Sequence, residues 1–473
     1  MTENPESIRL QELELKYPVN NWTIDGVRIW PWLRIRLMWD FRIGLIRTDN
    51  SRQDTGGRLR LVSSFFHESL KLIGALFRRK PVGRLFLSRA SYRAQVGSVW
   101  CDKFCDSYSF LHPSENGSDQ ILEMATNYCY RVPRTADSNV LPVNGLIYFY
   151  LRLASFLGYF MSVGRKVRLD GFEAFMAELG KFGFSTKGWE AARLAKRFRR
   201  ILYLARLFRI YLKVVKPRQV FVVCYYEEHT FALVLAANQL GIETVDIQHG
   251  VQGYDHPAYT PFASVPEGGW SLVPDWFFVW DEPSWRNIQN WNSNRHRAEI
   301  VGNLWSNLWN DEAWKKDHRG IAPSDKRKII LVTVQPIHDT LPDFVLSSLA
   351  RLPEDFDIYL RLHPRQLHEL DSYQRLVASY GLADRVNIAE ASNIPLPVIL
   401  DDTVCHLTHS SSVVMECCHQ GIPSVIYNEL GITKYWNDYS PSGLLHSGLN
   451  EKDLIEAMTM ILDESTFREK NIK

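Results

Sequence analysis

The sequence predicts an α/β fold arranged as two domains, and three observations carry that prediction. Short apolar runs rich in Val, Ile and Leu alternate with helical stretches from Lys216 onward, the pattern of parallel strands joined by crossover helices. Polar clusters fall where those runs end, the edge at which open α/β sheets place their ligands. At 473 residues the chain exceeds what one hydrophobic core usually spans.

Hydrophobic residues make up 45% and charged residues 23%, an ordinary globular composition, and the net charge of +2 argues against wholesale nucleic-acid binding. Cys101, Cys105, Cys129, Cys224, Cys405, Cys417 and Cys418 follow no disulfide framework, which points to reduced thiols and a cytoplasmic setting. Cys101 and Cys105 lack the second pair that a zinc site needs. The polar start, Met-Thr-Glu-Asn-Pro-Glu, lacks the pattern of a secretory signal.

Residues 1–80 read as a Trp-rich and amphipathic appendage, partly helical and partly basic. Asp25-Gly26 signals a hairpin, Pro31 opens a helix at its first turn, and the tryptophans around them pack the segment onto the main body. Thr48 to Arg58 reads as a loop. Leu61 to Lys80, ending on Arg78-Arg79-Lys80, fits either a core helix or a membrane-surface helix.

Residues 81–300 form the first α/β domain. Arg84 to Arg89 is its opening strand, and Asp102 to Asn139 reads as loops over a cleft. Leu146 to Val163 approaches the length of a membrane span, but a central Arg152 is costly in lipid, so a buried or interfacial helix fits better. The helix that follows is basic at Arg193, Lys196, Arg197, Arg199, Arg200, Arg206, Arg209 and Lys213. Such a face suits an anionic membrane surface or simple solvation. Gln219 to Cys224, Glu243 to Ile247 and Asp275 to Trp280 are further strands, with a helix from Thr230 to Leu240 closed by Gly241.

Residues 301–473 form the second α/β domain. Its strands are Lys328 to Thr333, Asp357 to Leu362, Val386 to Ile388, Val404 to Leu407 and Ser424 to Tyr427, and a helix from Glu451 to Asp463 closes it.

Candidate chemistry lies at strand ends. Ser410, Ser411 and Ser412 open a helix, where backbone N–H groups, hydroxyls and the positive end of the dipole favour an anion such as phosphate. Glu416 follows within about one turn, placed for a sugar hydroxyl. Gln335 leaves the strand that opens the second domain, and Arg361-Leu-His363-Pro364-Arg365 leaves the next, joining an imidazole donor to cationic charge. In the first domain Glu227, Glu228 and His229 lie in one cluster, and His249, Asp255 and His256 in another. The chain has no Gly-x-x-x-x-Gly-Lys-Ser/Thr phosphate loop, which argues against a P-loop kinase or ATPase.

From about Val301 to Asp463 the chain resembles the donor-binding half of GT-B glycosyltransferases. Ser411-Ser-Val-Val-Met-Glu416, followed by Gly421-Ile-Pro423, looks like their nucleotide-sugar box. The resemblance is closest to bacterial CDP-glycerol glycerophosphotransferases and to capsule transferases that use CMP-activated sialic acid or Kdo. Their His-Pro dipeptide is matched by His363-Pro364, and their serine motif by Ser410 to Ser412. The acidic-acidic-Gly motif that supplies the base in some sialyltransferases has no clear counterpart. The resemblance implies two Rossmann-like domains facing a cleft. It also implies transfer from a nucleotide-sugar donor to a surface glycan or lipid-linked acceptor in capsule or lipopolysaccharide synthesis. Transfer without a metal or cofactor fits, because His363, Arg361, Arg365 and the helix N-terminus can together offset the phosphate charge. The setting expected is cytoplasmic and peripheral to the membrane. His363 would then serve the departing phosphate, and the acceptor base would come from His249, Glu228, Glu227 or Asp255, with His249 favoured. Two readings compete: a nucleotide-sugar 2-epimerase of the same architecture, and a non-catalytic scaffold of polysaccharide assembly.

Overall fold

The computed structural model describes residues 5–46, 65–66, 68–71, 74, 82–114, 118–124, 140–157, 165–253, 256–291, 293–318, 321, 323, 328–336 and 341–472. The chain divides into two compact units, residues 2–93 with 100–304, and residues 94–99 with 305–473.

The N-terminal unit is built on a seven-stranded sheet. Its strands are β1 (Val82–Arg89), β2 (Ser118–Met124), β3 (Val140–Pro142), β4 (Gln219–Val223), β5 (Glu243–Ile247), β6 (Trp276–Val279) and β7 (Arg297–Ile300). They lie in the order β3-β2-β1-β4-β5-β6-β7, and each neighbouring pair is parallel. Successive residues feed opposite faces: Leu85, Leu87, Val220 and Val222 enter one core, Phe86, Phe221 and Val223 the other. The helices that cover it include α1 (Asn144–Leu157), α2 (Ala191–Val215) and α3 (Glu228–Asn238).

The C-terminal unit repeats the plan with six strands: β8 (Lys328–Thr333), β9 (Phe356–Arg361), β10 (Val386–Asn387), β11 (Thr403–Thr408), β12 (Ser424–Ile426) and β13 (Leu445–Ser447). Their order is β10-β9-β8-β11-β12-β13, again all parallel. Both units are therefore Rossmann-like, wound outward in two directions from a central switch point. That point lies between β1 and β4 in one sheet and between β8 and β11 in the other. Two further helices matter for the site, α4 (Val413–His419) and α5 (Glu429–Tyr439).

The Trp-rich start belongs to the core of the N-terminal unit. Asp25 and Gly26 both adopt left-handed backbone angles (φ 51° and 80°) and close a hairpin of Thr23–Ile24 with Val27–Arg28. Trp22, Trp30 and Trp32 are buried, and Trp22 meets Trp30, Phe172 and Phe175 edge-on. Arg34, wholly buried, pairs with Glu14 at 2.7 Å and donates to the carbonyl oxygens of Thr260 and Pro261.

Several expectations need correction. Asp102 to Asn139 is not only loop: its described part holds a helix, Cys105–Leu111, and the strand β2 paired along β1. The polar letters of Ser118-Asp-Gln disguise a strand whose later residues, Ile121 to Met124, are buried. The helix after β4 starts at Glu228 rather than Thr230, because Glu227 and Thr230 form a reciprocal capping box. The described part of Leu146 to Val163 lies in the helix α1, and residues 158–163 lie outside the described residues. Among the described residues no helix is long and apolar enough to cross a membrane. Cys129 and Arg78 to Lys80 lie outside the described residues.

Candidate active site

In the C-terminal unit a chain of polar groups crosses the floor of the switch point. Thr408 Oγ1 donates to the Thr333 carbonyl at 3.0 Å, and Thr333 Oγ1 donates to Thr408 Oγ1 at 3.0 Å. Thr333 Oγ1 therefore accepts from His406 Nε2 (2.8 Å), whose Nδ1 faces Ser424 Oγ at 3.0 Å. Burial pushes His406 down to about 3, so this imidazole is a neutral strut.

Above that floor, side chains leaving β8 and β11 knit together. Gln335 Nε2 donates to the Ser410 carbonyl and Ser410 Oγ donates back to Gln335 Oε1, both at 2.8 Å. Tyr435 (3.1 Å) and Lys434 (3.4 Å), both on α5, donate to the same carbonyl. Gly431 lets α5 approach: a Cβ there would overlap the His409 carbonyl oxygen and stand 2.5 Å from Ile426 Cγ2. The serines thus divide their work. Ser410 braces the turn, Ser411 Oγ accepts from the Val413 N–H at 3.3 Å as a cap, and Ser412 is half-buried and makes no cap bond of its own.

The second strand end brings Arg361 and His363. Arg361 donates to the carbonyls of Ala391 and Ile394 (2.5 and 2.7 Å), and burial lowers it to about 10 while Glu416 favours its charge. Glu416 thus acts on the charge of Arg361, although the two leave different strand ends. His363 caps a 3-10 helix, Pro364–Glu369: its Nδ1 accepts from the Arg365 N–H at 3.1 Å. In the neutral ring the proton then sits on Nε2, making that atom a donor. Pro364 and Arg365 are exposed. A cavity of about 140 Å³, lined by Gln335, Pro342, Tyr373, His409, Tyr427 and Asn428, lies at these strand ends. Asp355-Phe356-Asp357 has the Asp-x-Asp spacing of metal–nucleotide sites, but it enters β9 at the amino end, the opposite edge of the sheet.

The N-terminal unit uses its switch point similarly. Arg89, ending β1, makes an ion pair with Glu227, which follows β4, and His229 Nε2 lies 3.8 Å from the same carboxylate. Burial raises the Glu227 carboxyl, while Arg89 and then Arg36 oppose the shift. Glu228 points elsewhere, to Arg200 at 3.0 Å on the surface. Cys224 holds a left-handed conformation (φ 60°), uncommon for a residue with a side chain. Its Sγ stands 3.0 Å from Tyr92 OH and 3.1 Å from His249 Nε2. Tyr226 OH is 3.3 Å from both His249 Nε2 and His256 Nε2. Burial pushes His249 down to about 4, so its ring is neutral, and its Nε2 faces protein groups. Asp255 lies outside the described residues.

Sequence reasoning did not single out Arg89, Tyr92, Cys224 or Tyr226. Only the strand order, which seats β1 beside β4, reveals Arg89 and Tyr92 as neighbours of Glu227 and Cys224.

No protein-family model matches the chain, and no curated protein matches it. Among solved structures, the UDP-GlcNAc 2-epimerase of Neisseria meningitidis bound to UDP-GlcNAc is similar at 16% identity, covering 82% of this chain and 93% of that one, with a TM-score of 0.48. The UDP-GlcNAc 2-epimerase of Methanocaldococcus jannaschii is similar at 14% identity over 80% and 93%, with a TM-score of 0.47. MurG of Acinetobacter baumannii is similar at 11% identity over 80% and 90%, with a TM-score of 0.38. These likenesses concern the α/β fold with its two Rossmann-like units and assign this chain no substrate.

Proposed function

We propose that the chain is a glycosyltransferase that takes its sugar from a nucleotide donor, CMP- or CDP-linked by preference, held at the switch point of the C-terminal sheet. The observation that supports this reading most is the joining of three strand ends there. Gln335 and Ser410 fix the turn, the Glu416 carboxylate favours the charge of Arg361, and His363 is oriented with Nε2 as a donor. A donor of that kind, beside guanidinium charge, gains strength as negative charge develops on a departing phosphate. Glu416 is assigned to a ribose hydroxyl.

For the acceptor we assign Glu227 as base, ahead of His249. Glu227 is a part-exposed carboxylate held by Arg89, whereas His249 directs its Nε2 to Cys224 and Tyr226. The acceptor is a glycan or a lipid-linked glycan of surface-polysaccharide assembly.

Thermal shift with CMP-, CDP-, UDP- and GDP-sugars tests the donor, because a ligand that binds the native state raises the melting temperature by mass action. Transfer from the stabilising sugar to an acceptor, lost in Glu227→Gln and unchanged in Glu228→Gln, is the expected result. Epimerisation of the donor without any acceptor would replace this reading with that of a 2-epimerase. No shift with any nucleotide sugar would leave the scaffold reading.

A further inference from the structure

Three helices of the N-terminal unit lie side by side and present large apolar side chains to water. The first spans residues 65–66 and 68–71. Its Phe65 ring packs on Phe149 of α1 at 4.4 Å, and its buried Glu68 accepts from the Leu146 N–H at 2.8 Å. On its other side α1 meets α2, where Tyr150 feels the charge of Arg206. Leu153 and Phe156 follow Phe149 at helical spacing, so they extend the row that carries the Phe65 contact. On α2, Ile210 and Val214 follow Tyr203 and Arg206 at the same spacing. Phe66, Leu70, Leu153, Phe156, Ile210 and Val214 are each more than half exposed, Phe156 by 80%. Scattered singly such residues mean little, but grouped on adjoining helices they mark an interaction surface.

Cations stand on the same helices, and Asp25 lines a small cavity with Arg206 and Arg209. Lys71, Arg152, Arg209 and Lys213 are exposed. Neither α1 nor α2 contains a carboxylate, and Glu68 is committed to a backbone N–H. The opposite end of α2 is different: Arg193 pairs with Glu190, Arg197 lies over Trp189, and Arg200 pairs with Glu228. At the apolar end Arg152 donates to Tyr148 Oη at 3.1 Å and lies over its ring, and it stands exposed there with Lys71, Arg209 and Lys213. Aliphatic and phenyl groups ringed by cations match the interfacial layer of an anionic membrane.

We propose that this face seats the protein on an anionic lipid surface, with Leu153, Phe156 and their neighbours entering the headgroup boundary. The proposal goes beyond the nucleotide-sugar reading and does not depend on it. Flotation of the full chain with vesicles of phosphatidylglycerol and phosphatidylcholine, against phosphatidylcholine alone, is the test. Binding to the anionic vesicles only, weakened by salt, is expected. Leu153→Glu with Phe156→Glu should weaken it on the order of tenfold or more. Arg209→Glu with Lys213→Glu should weaken it comparably at low salt. Leu449→Glu, at an exposed apolar residue of the other unit, should leave it unchanged. All these side chains are exposed, so unchanged melting temperatures will show that the variants fold. The proposal is overturned if the wild type does not float, or if the Leu153/Phe156 variant floats as well as the wild type. It is also overturned if that variant abolishes self-association while vesicle binding stays absent.

Discussion

At the scale of single residues, His363 offers the sharpest test. The Arg365 N–H occupies its Nδ1, so the useful atom is Nε2, a donor whose interaction grows with charge in the transition state. His363→Ala should lower turnover on the order of a hundredfold or more, while affinity for bare CMP or CDP falls only modestly. Steady-state kinetics beside calorimetric titration separates the two effects. Near-normal turnover in a folded variant would reduce His363 to the cap of a surface turn. Glu416→Gln carries the complementary expectation of weaker donor binding, by roughly 1.5–3 kcal/mol for a lost charged hydrogen bond.

At the scale of elements, the site depends on how closely α5 packs on the serine turn. Gly431 has ordinary backbone angles, so it is required for space: a methyl group there would strike the His409 carbonyl and Ile426. Gly431→Ala should cost roughly 1–3 kcal/mol of stability, as overpacking does. It should also loosen the grip of Lys434 and Tyr435 on Ser410. Thermal melts and the nucleotide-sugar shift should fall together; a fully stable variant with weakened binding would show that the turn moves without strain.

Much of this was legible in the letters, and the rest was not for physical reasons. Lys328–Thr333 is legible to the residue, because a buried parallel strand writes itself as an apolar run closed by polar residues. β2 and β7 escaped, since Ser118-Asp-Gln and Arg297-Ala-Glu put charged or polar letters inside a ladder held by backbone bonds. The strand ends were found because polar clusters follow apolar runs. Their partners across the switch point were not, because Arg89 and Glu227 are distant in sequence and meet only once β1 lies beside β4.

At the scale of the whole molecule, buried imidazoles and buried carboxyls set opposing limits on pH. Burial lowers His229, His249 and His296 from 6.5 to about 4, and His406 to about 3. The unfolded chain therefore takes up protons first as pH falls. The stability these neutral rings contribute is full above about 6.5 and declines toward pH 4. Burial raises Asp246 to about 8 and Asp106 to about 7. Their contribution is full below the ordinary carboxyl value of 3.8, declines as pH rises from there, and is lost above about 8 and 7 respectively. Melting temperature should thus fall on both sides of a maximum near neutrality. Asp246→Asn, which keeps the shape that accepts from the Tyr225 N–H, should flatten the alkaline side. A melting temperature constant from pH 5 to 9 would contradict these assignments.

The clamp between Glu14 and the segment near residue 260 also fixes the order in which the chain can be completed. Glu14 accepts from the Ala263 N–H, and Arg34 holds the Thr260 and Pro261 carbonyls. The tryptophans beside them pack against Phe172, Phe175, Trp189 and Phe198. During synthesis at roughly 5–20 residues per second, an apolar start emerges tens of seconds before the partners that cover it. Removing residues 1–46 should leave those partners uncovered and yield aggregated protein, read by size exclusion. Co-expressing residues 1–46 as a separate piece should recover soluble material, because the lost covering is supplied in trans. The segment up to residue 46 must therefore be shielded during that interval, so soluble yield should rise with chaperone capacity in the expressing host.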